Sequence, residues 1–408
     1  MEAVGINRSP VKEITREQWK ALFAAQAGYM LDAMDVLLYI FALNTLKTEF
    51  HMSNAVAGAI GSVTLIFSAL GGILSGILAD RFGRTRLLAA TILWYSLASA
   101  GAATAMSVAQ LMFWRALVGV GLGGEWSAGA VLVAETWPDR YRARAIGFMQ
   151  AGWALGYLMA AGLTALVLPR FGWRALFLTG LAPAVLALAV RRHVAEPETW
   201  RKSRDEERAS WTAIFGRDFL RNTISATALT TSVLFGYWGL FTWLPSFLQT
   251  PQSAGGAGLS LLGTSASIVP MQLGAFLGYV TFGFFSDKFG RRPVFVTYML
   301  TTAMLVPLYG LTRDAWTLQL LGPFVGFFGS GYFSLFGELL AGLYPAKLRG
   351  TGQGFTYNAG RALSAVAPFL VGVLADRHGI GLALLVNSGF FLVAAMLIFL
   401  LPERAKTL

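Results

Sequence analysis

Twelve runs of roughly 20 apolar residues follow one another along this chain, and lipid allows such a pattern few folds. The runs lie near 21–45, 55–79, 87–106, 109–134, 144–167, 172–190, 221–248, 260–286, 293–311, 316–341, 351–375 and 380–401. Inside hydrocarbon every backbone N–H and C=O must be bonded within the protein, so an uninterrupted run of this length has to be a helix. Charged residues make up 13% of the chain, about half the share of an average soluble domain. The expected fold is therefore all-α and polytopic, with twelve transmembrane helices. The first run follows a polar stretch with no cleavage-site pattern and is too long for a signal-peptide core, so it is expected to be the first span.

The net charge of +11 has a topological explanation. If both ends of the chain lie in the cytoplasm, 25 of the 32 Lys and Arg residues fall on the cytoplasmic side. Five lie on the other side (Lys47, Arg170, Arg174, Arg313 and Arg377), and Arg115 and Arg361 lie within spans. This bias orients a protein in the inner membrane and suits anionic lipid, and it gives no reason to expect nucleic acid as a partner. The chain has no cysteine, and its three histidines stand at the ends of runs. Disulfides, thiol chemistry, a metal centre and a histidine relay within the membrane are therefore not expected, nor is a cofactor.

The chain repeats itself at an offset of 207 residues. Gly76-Ile-Leu-Ala-Asp80-Arg81-Phe82-Gly83-Arg84 matches Gly283-Phe-Phe-Ser-Asp287-Lys288-Phe289-Gly290-Arg291. The same offset brings Pro138 to Pro345, Arg142 to Arg349, and Gly147-Phe148 to Gly354-Phe355. Two bundles of six helices are expected, one in residues 1–190 and one in 221–408, joined by a charged cytoplasmic loop at 191–220. Paired bundles with a site between them are the architecture of secondary transporters.

The segments GILADRFGRTR (76–86) and GFFSDKFGRRP (283–293) resemble the doubled loop signature of the major facilitator superfamily, over essentially the whole chain. Within it, LDAMD (31–35), GLGGEWSAG (121–129), VAETWP (133–138) and YNAGR (357–361) are similar to the proton-coupled symporters of aromatic acids, sialic acid and other metabolite carboxylates. The resemblance implies that Gly76, Asp80, Gly83, Arg84, Glu135, Arg142, Asp287 and Arg291 form a conformational latch at the cytoplasmic surface. The second half departs from the pattern, with Gly342 where Glu135 would map and Glu338 a turn earlier. A plainer reading is that these charges only set the topology. Gly119-Val-Gly121-Leu-Gly-Gly124 also matches a dinucleotide fingerprint, but it lies inside an apolar helix with no βαβ unit, where small residues serve close packing.

Five charges lie within spans: Asp32, Asp35, Arg115, Glu125 and Arg361. None recurs at the 207-residue offset, so they are not part of the duplicated scaffold. Each costs about 2.5–3.5 kcal/mol at a helix centre, so they are expected to face a wet cavity or to pair. Asp32 and Asp35 are neighbours on one helical face, and two adjacent carboxylates do not both ionise cheaply in a low-dielectric site. Asp32, Asp35 and Glu125 are therefore the candidate proton carriers. Arg115 and Glu125 are ten residues apart, about 15 Å along one helix, and do not pair directly. Arg361 lies about 15 Å into its span, and it cannot shed its proton. It is the candidate to bind a substrate carboxylate, with Asn358, Tyr357, Gln150, Tyr157 and Gln272 as expected cavity residues. Trp153, Tyr237, Trp238, Trp243 and Tyr332 read more simply as packing or interfacial residues. The expected activity is proton-coupled uptake of a small organic anion by a monomer. Proton-driven efflux of drugs or metabolites is the alternative, and Arg361 disfavours it for cationic cargo. No nucleophile–base pair or nucleotide loop points to an enzyme.

Overall fold

The computed structural model describes residues 14–185, 189, 211–345 and 348–402, apart from some side chains within those ranges. Its helices are α1 (Arg16–Glu49), α2 (Asn54–Phe82), α3 (Arg84–Ala102), α4 (Val108–Thr136) and α5 (Asp139–Leu178), then α6 (Leu220–Phe241) and α7 (Leu244–Gln249). There follow α8 (Leu261–Phe289), α9 (Arg291–Leu311), α10 (Ala315–Ser330), α11 (Phe333–Ala341), α12 (Arg349–Ser364), α13 (Ala367–His378) and α14 (Ile380–Leu397). Among the described residues, nine helical stretches are long and apolar enough to cross a membrane. Two further runs fall on α3 and α4. One of the nine stretches, Arg144–Val185, holds two runs, because Gly172 breaks its geometry at φ 76°. Much of the expected linker, 191–210, lies outside the described residues.

The duplication is visible in the backbone. α2, α3 and α4 start at positions 54, 84 and 108, and α8, α9 and α10 start at 261, 291 and 315, each 207 residues later. The turn glycines follow the same rule, with Gly83 at φ 108° and Gly290 at 92°, and Gly172 at 76° and Gly379 at 83°. These positive angles are open to glycine and costly to other residues, which explains why sharp turns recur at those positions.

Packing repeats as well. α2 lies on α4, and α8 on α10. A Cβ on Gly71 would sit 2.1 Å from the Val120 carbonyl oxygen, and one on Gly278 would sit 2.5 Å from that of Phe327. A Cβ on Gly119 would fall 2.3 Å from the Thr64 oxygen, and one on Gly326 would fall 1.8 Å from that of Met271. The glycines around 119–124 are thus helix-packing residues, as expected where lipid supplies no hydrophobic drive and backbones must approach closely.

Between the halves, α2 packs on α12 and α13, α5 on α8 and α11, and the end of α1 on α7. At the end where α2 begins, the Asp376 carboxylate accepts from the backbone N–H groups of Asn54 (3.0 Å) and Ala55 (2.8 Å). The first N–H groups of a helix have no partner within it, so here one half caps a helix of the other. Ser246 Oγ donates to Asn44 Oδ1 (2.7 Å) near the same end.

Candidate functional site

A cavity of about 50 Å3 lies between the halves near the middle of the spans. α1 brings Tyr29, Asp32, Val36, Tyr39 and Ile40 to its wall, and α2 brings Thr64 and Ser68. α4 contributes Arg115 and α5 contributes Trp153, while α6, α8, α11 and α12 supply Tyr237, Trp238, Tyr279, Phe333, Tyr357 and Arg361. The volume has room for a few water molecules.

All five intramembrane charges are buried: Asp32 at 3% exposure, Asp35 at 0%, Arg115 at 2%, Glu125 at 1% and Arg361 at 8%. Arg361 Nη1 donates across the interface to Ser68 Oγ at 2.9 Å, and its guanidinium lies 4.9 Å from the Tyr357 ring centre. Asp32 is the carboxylate in its field. Arg115 stands 5.0 Å over the ring of Tyr39, whose hydroxyl is held by the Ala57 carbonyl at 2.8 Å. Asp35, one turn from Asp32 on α1, lies in the field of Arg115. Its carboxylate is turned away from the cavity, toward Ser99 and Gly180. A Cβ on Gly180 would come within 2.6 Å of Asp35 Oδ1. Glu125 is pressed against α1 at Gly28, where a Cβ would meet Oε1 at 2.1 Å.

Among the described residues, these acids and bases do not close into hydrogen-bonded pairs. Asp32 Oδ1, both oxygens of Asp35, both oxygens of Glu125, and Nε of Arg115 and of Arg361 are buried and have no hydrogen-bond partner among the described residues. Buried polar atoms are seldom left this way, which makes the cluster the candidate functional site. The guanidinium–ring contacts lessen the cost of burying two cations.

Of the expected substrate residues, Arg361 and Tyr357 line the cavity. Asn358 is buried with its amide donating to the Gly354 carbonyl and its oxygen against Gly72, outside the wall. Gln150 donates to the Phe333 carbonyl at 3.5 Å, and Tyr157 to the Phe241 carbonyl at 3.3 Å. These two bind backbone of the opposite half, and neither they nor Gln272 belongs to the wall. Instead the wall is aromatic. Ring centres run Tyr29–Trp153 (5.2 Å), Trp153–Trp238 (5.8 Å), Tyr237–Trp238 (5.6 Å) and Tyr237–Phe333 (4.9 Å), crossing from one half to the other. Trp153, Tyr237 and Trp238, read from sequence as packing residues, are therefore cavity residues, whereas Trp243 and Tyr332 are buried away from it. Ser68 and Tyr29 were missed. Ser68 carries the weak signal of a polar residue in an apolar run, and Tyr29 stands one turn before Asp32.

Of the expected latch, Gly76, Asp80, Arg84 and Glu135 lie outside the described side chains. Gly83 makes the turn into α3, Asp287 is exposed, and Arg291 opens α9. Arg142 Nη2 is 3.5 Å from the Trp137 carbonyl.

A probable 4-methylmuconolactone transporter of Cupriavidus pinatubonensis is 35% identical over 398 residues, covering 95% of this chain and 91% of that protein. The cis,cis-muconate transport protein of Acinetobacter baylyi is 32% identical, covering 93% of each. Among solved structures, a D-xylose–proton symporter superposes with a TM-score of 0.75 at 20% identity, covering 96% of this chain and 99% of that one. The Major Facilitator Superfamily model matches residues 27–271 and 252–408, and this multi-pass membrane transporter belongs to that family.

Proposed function

We propose that this protein takes up a planar, conjugated organic carboxylate together with protons, by alternating exposure of the cavity between two bundles, 1–190 and 221–408. The observation that carries the reading is a buried guanidinium, Arg361, in a cavity walled by aromatic rings and facing a carboxylate, Asp32. A guanidinium offers two parallel donors to a carboxylate, and rings stack on flat π-systems. The buried Trp153 N–H is a further donor with no hydrogen-bond partner among the described residues. The muconate and methylmuconolactone named for the two relatives are unsaturated acids, which supports this class.

The charges supply the coupling. With Asp32 ionised, Arg361 already has an anion in its field and an incoming carboxylate is repelled. A proton on Asp32 removes that competition and leaves Arg361 to the substrate. Asp35 and Glu125, one turn of α1 to either side, are the groups to pass the proton on. The positive-inside bias supports a cytoplasmic location for both ends and for the 191–220 loop. The doubled loop motif would then latch the cytoplasmic face. The test is uptake into proteoliposomes of a panel of flat and saturated carboxylates, with internal pH recorded. Accumulation driven by an inward proton gradient, with flat acids preferred and their amides ignored, is expected. Accumulation of cations or sugars with no proton movement overturns the reading.

A further inference from the structure

The cavity wall holds two guanidiniums, and only one has been given work. Arg115 lines the same space as Arg361 and matches it closely. Each lies over a tyrosine ring, at 5.0 and 4.9 Å, and each has a buried Nε with no hydrogen-bond partner among the described residues. Each also has one aspartate of α1 in its field, Asp35 for Arg115 and Asp32 for Arg361. The two sites differ in where the acid sits. Asp32 lines the cavity, whereas Asp35 lies off its wall, beside Ser99 and Gly180. The cavity side of Arg115 is therefore open to a ligand, and Asp35 can balance it from off the wall.

We propose that the cargo is a dicarboxylate, with one carboxylate on Arg361 and the second on Arg115. This rests on the reading that Arg361 binds a substrate carboxylate, and it adds a second anchor and a charge. Asp32 and Tyr39, which mark the two arginines, are seven residues apart, about 10 Å along α1, the scale of a short dianion spanning two guanidiniums. Neither arginine can lose its proton, so a monoanion leaves one cation unmatched whenever both aspartates are protonated. A dianion matches both. The proton count follows: a dianion entering with two protons, one on Asp32 and one on Asp35, leaves the total charge of the site unchanged. The placement of Asp35 off the wall gives it a distinct task, holding Arg115 neutralised while the cavity is empty.

Two ligands of equal length and flatness test this, trans,trans-hexa-2,4-dienoate and trans,trans-hexa-2,4-dienedioate, with benzoate and benzene-1,4-dicarboxylate as a second pair. Affinity is read by titration of the purified full chain at a pH where all the acids are ionised. At least one dianion is expected to bind about tenfold or more tightly than its monoanion, the size of one charge-assisted contact. Arg115→Gln should weaken each dianion by about tenfold more than its monoanion and so remove that preference. Arg115→Lys should retain part of it and guards against a folding defect. Equal or better binding of both monoanions by the wild type overturns the proposal, as does Arg115→Gln weakening both members of a pair alike. Arg361→Gln should weaken all four ligands. If Arg115→Gln removes the preference but Arg361→Gln changes nothing, the reading of Arg361 fails instead, and binding of no ligand by the wild type overturns both.

Discussion

α2 on α4 and α8 on α10 are one packing solution built twice, down to the glycines at 71 and 278 and at 119 and 326. The walls that the two halves present to the cavity share none of this symmetry. The first half brings Asp32 and Arg115 to the wall, with Asp35 and Glu125 off it, and the second half brings Arg361. Duplication preserved what every span needs, namely close helix contact and sharp turns. The charges diverged, so that Asp32 and Arg361 reach the cavity from opposite halves, whereas Asp35 and Arg115 share one.

Removing the second half's contribution should have the largest effect. Arg361→Ala is expected to lower carboxylate affinity by roughly a hundredfold, the loss typical of truncating one partner of a buried charge contact. Near-normal binding in the folded variant would break the division of labour. Neutralising the first half should leave binding and remove coupling. Asp32→Asn and Asp35→Asn are expected to exchange carboxylate across proteoliposomes at rates within a few-fold of wild type, yet fail to accumulate it against a gradient. Gradient-driven accumulation by both would move the proton carrier to Glu125.

Glycine sharpens the contrast on a smaller scale. Gly28→Ala drives a methyl into Glu125 and should cost about 1–3 kcal/mol, as overpacking does, read as a lower unfolding temperature. Gly354→Ala, with nothing within 4 Å of the new methyl, should be neutral or raise stability by about 0.5–1 kcal/mol. The smallest effect is expected at the rim. Asp376→Asn keeps one of the two accepting oxygens and loses the other together with the charge facing the α2 N-terminus, the charge alone being worth about 0.3–1 kcal/mol. Single cysteines at Ala55 or Ala375 in this cysteine-free chain should then become slightly more accessible to a thiol reagent. An unchanged labelling rate would mean that this cap does not hold the halves together at that end.

Much of the architecture was legible in one dimension. Run lengths located the helices, the 207-residue offset located both sets of turn glycines, and three of the five charges that do not repeat, Asp32, Arg115 and Arg361, line the cavity. These signals are local because lipid judges each residue by its own transfer cost and each backbone segment by whether it satisfies its own hydrogen bonds. Facing directions were decided only by the tertiary structure. Gln150, Tyr157, Gln272 and Asn358 turned into the interhelical packing, while Trp153, Tyr237 and Trp238 turned to the cavity. A span that is apolar all round gives no stripe from which to read its inner face. The matching of Asp32 with Arg361 and Asp35 with Arg115 likewise needed the folded molecule, because the partners lie on different helices, and only the close approach of α1, α4 and α12 determines which charge faces which.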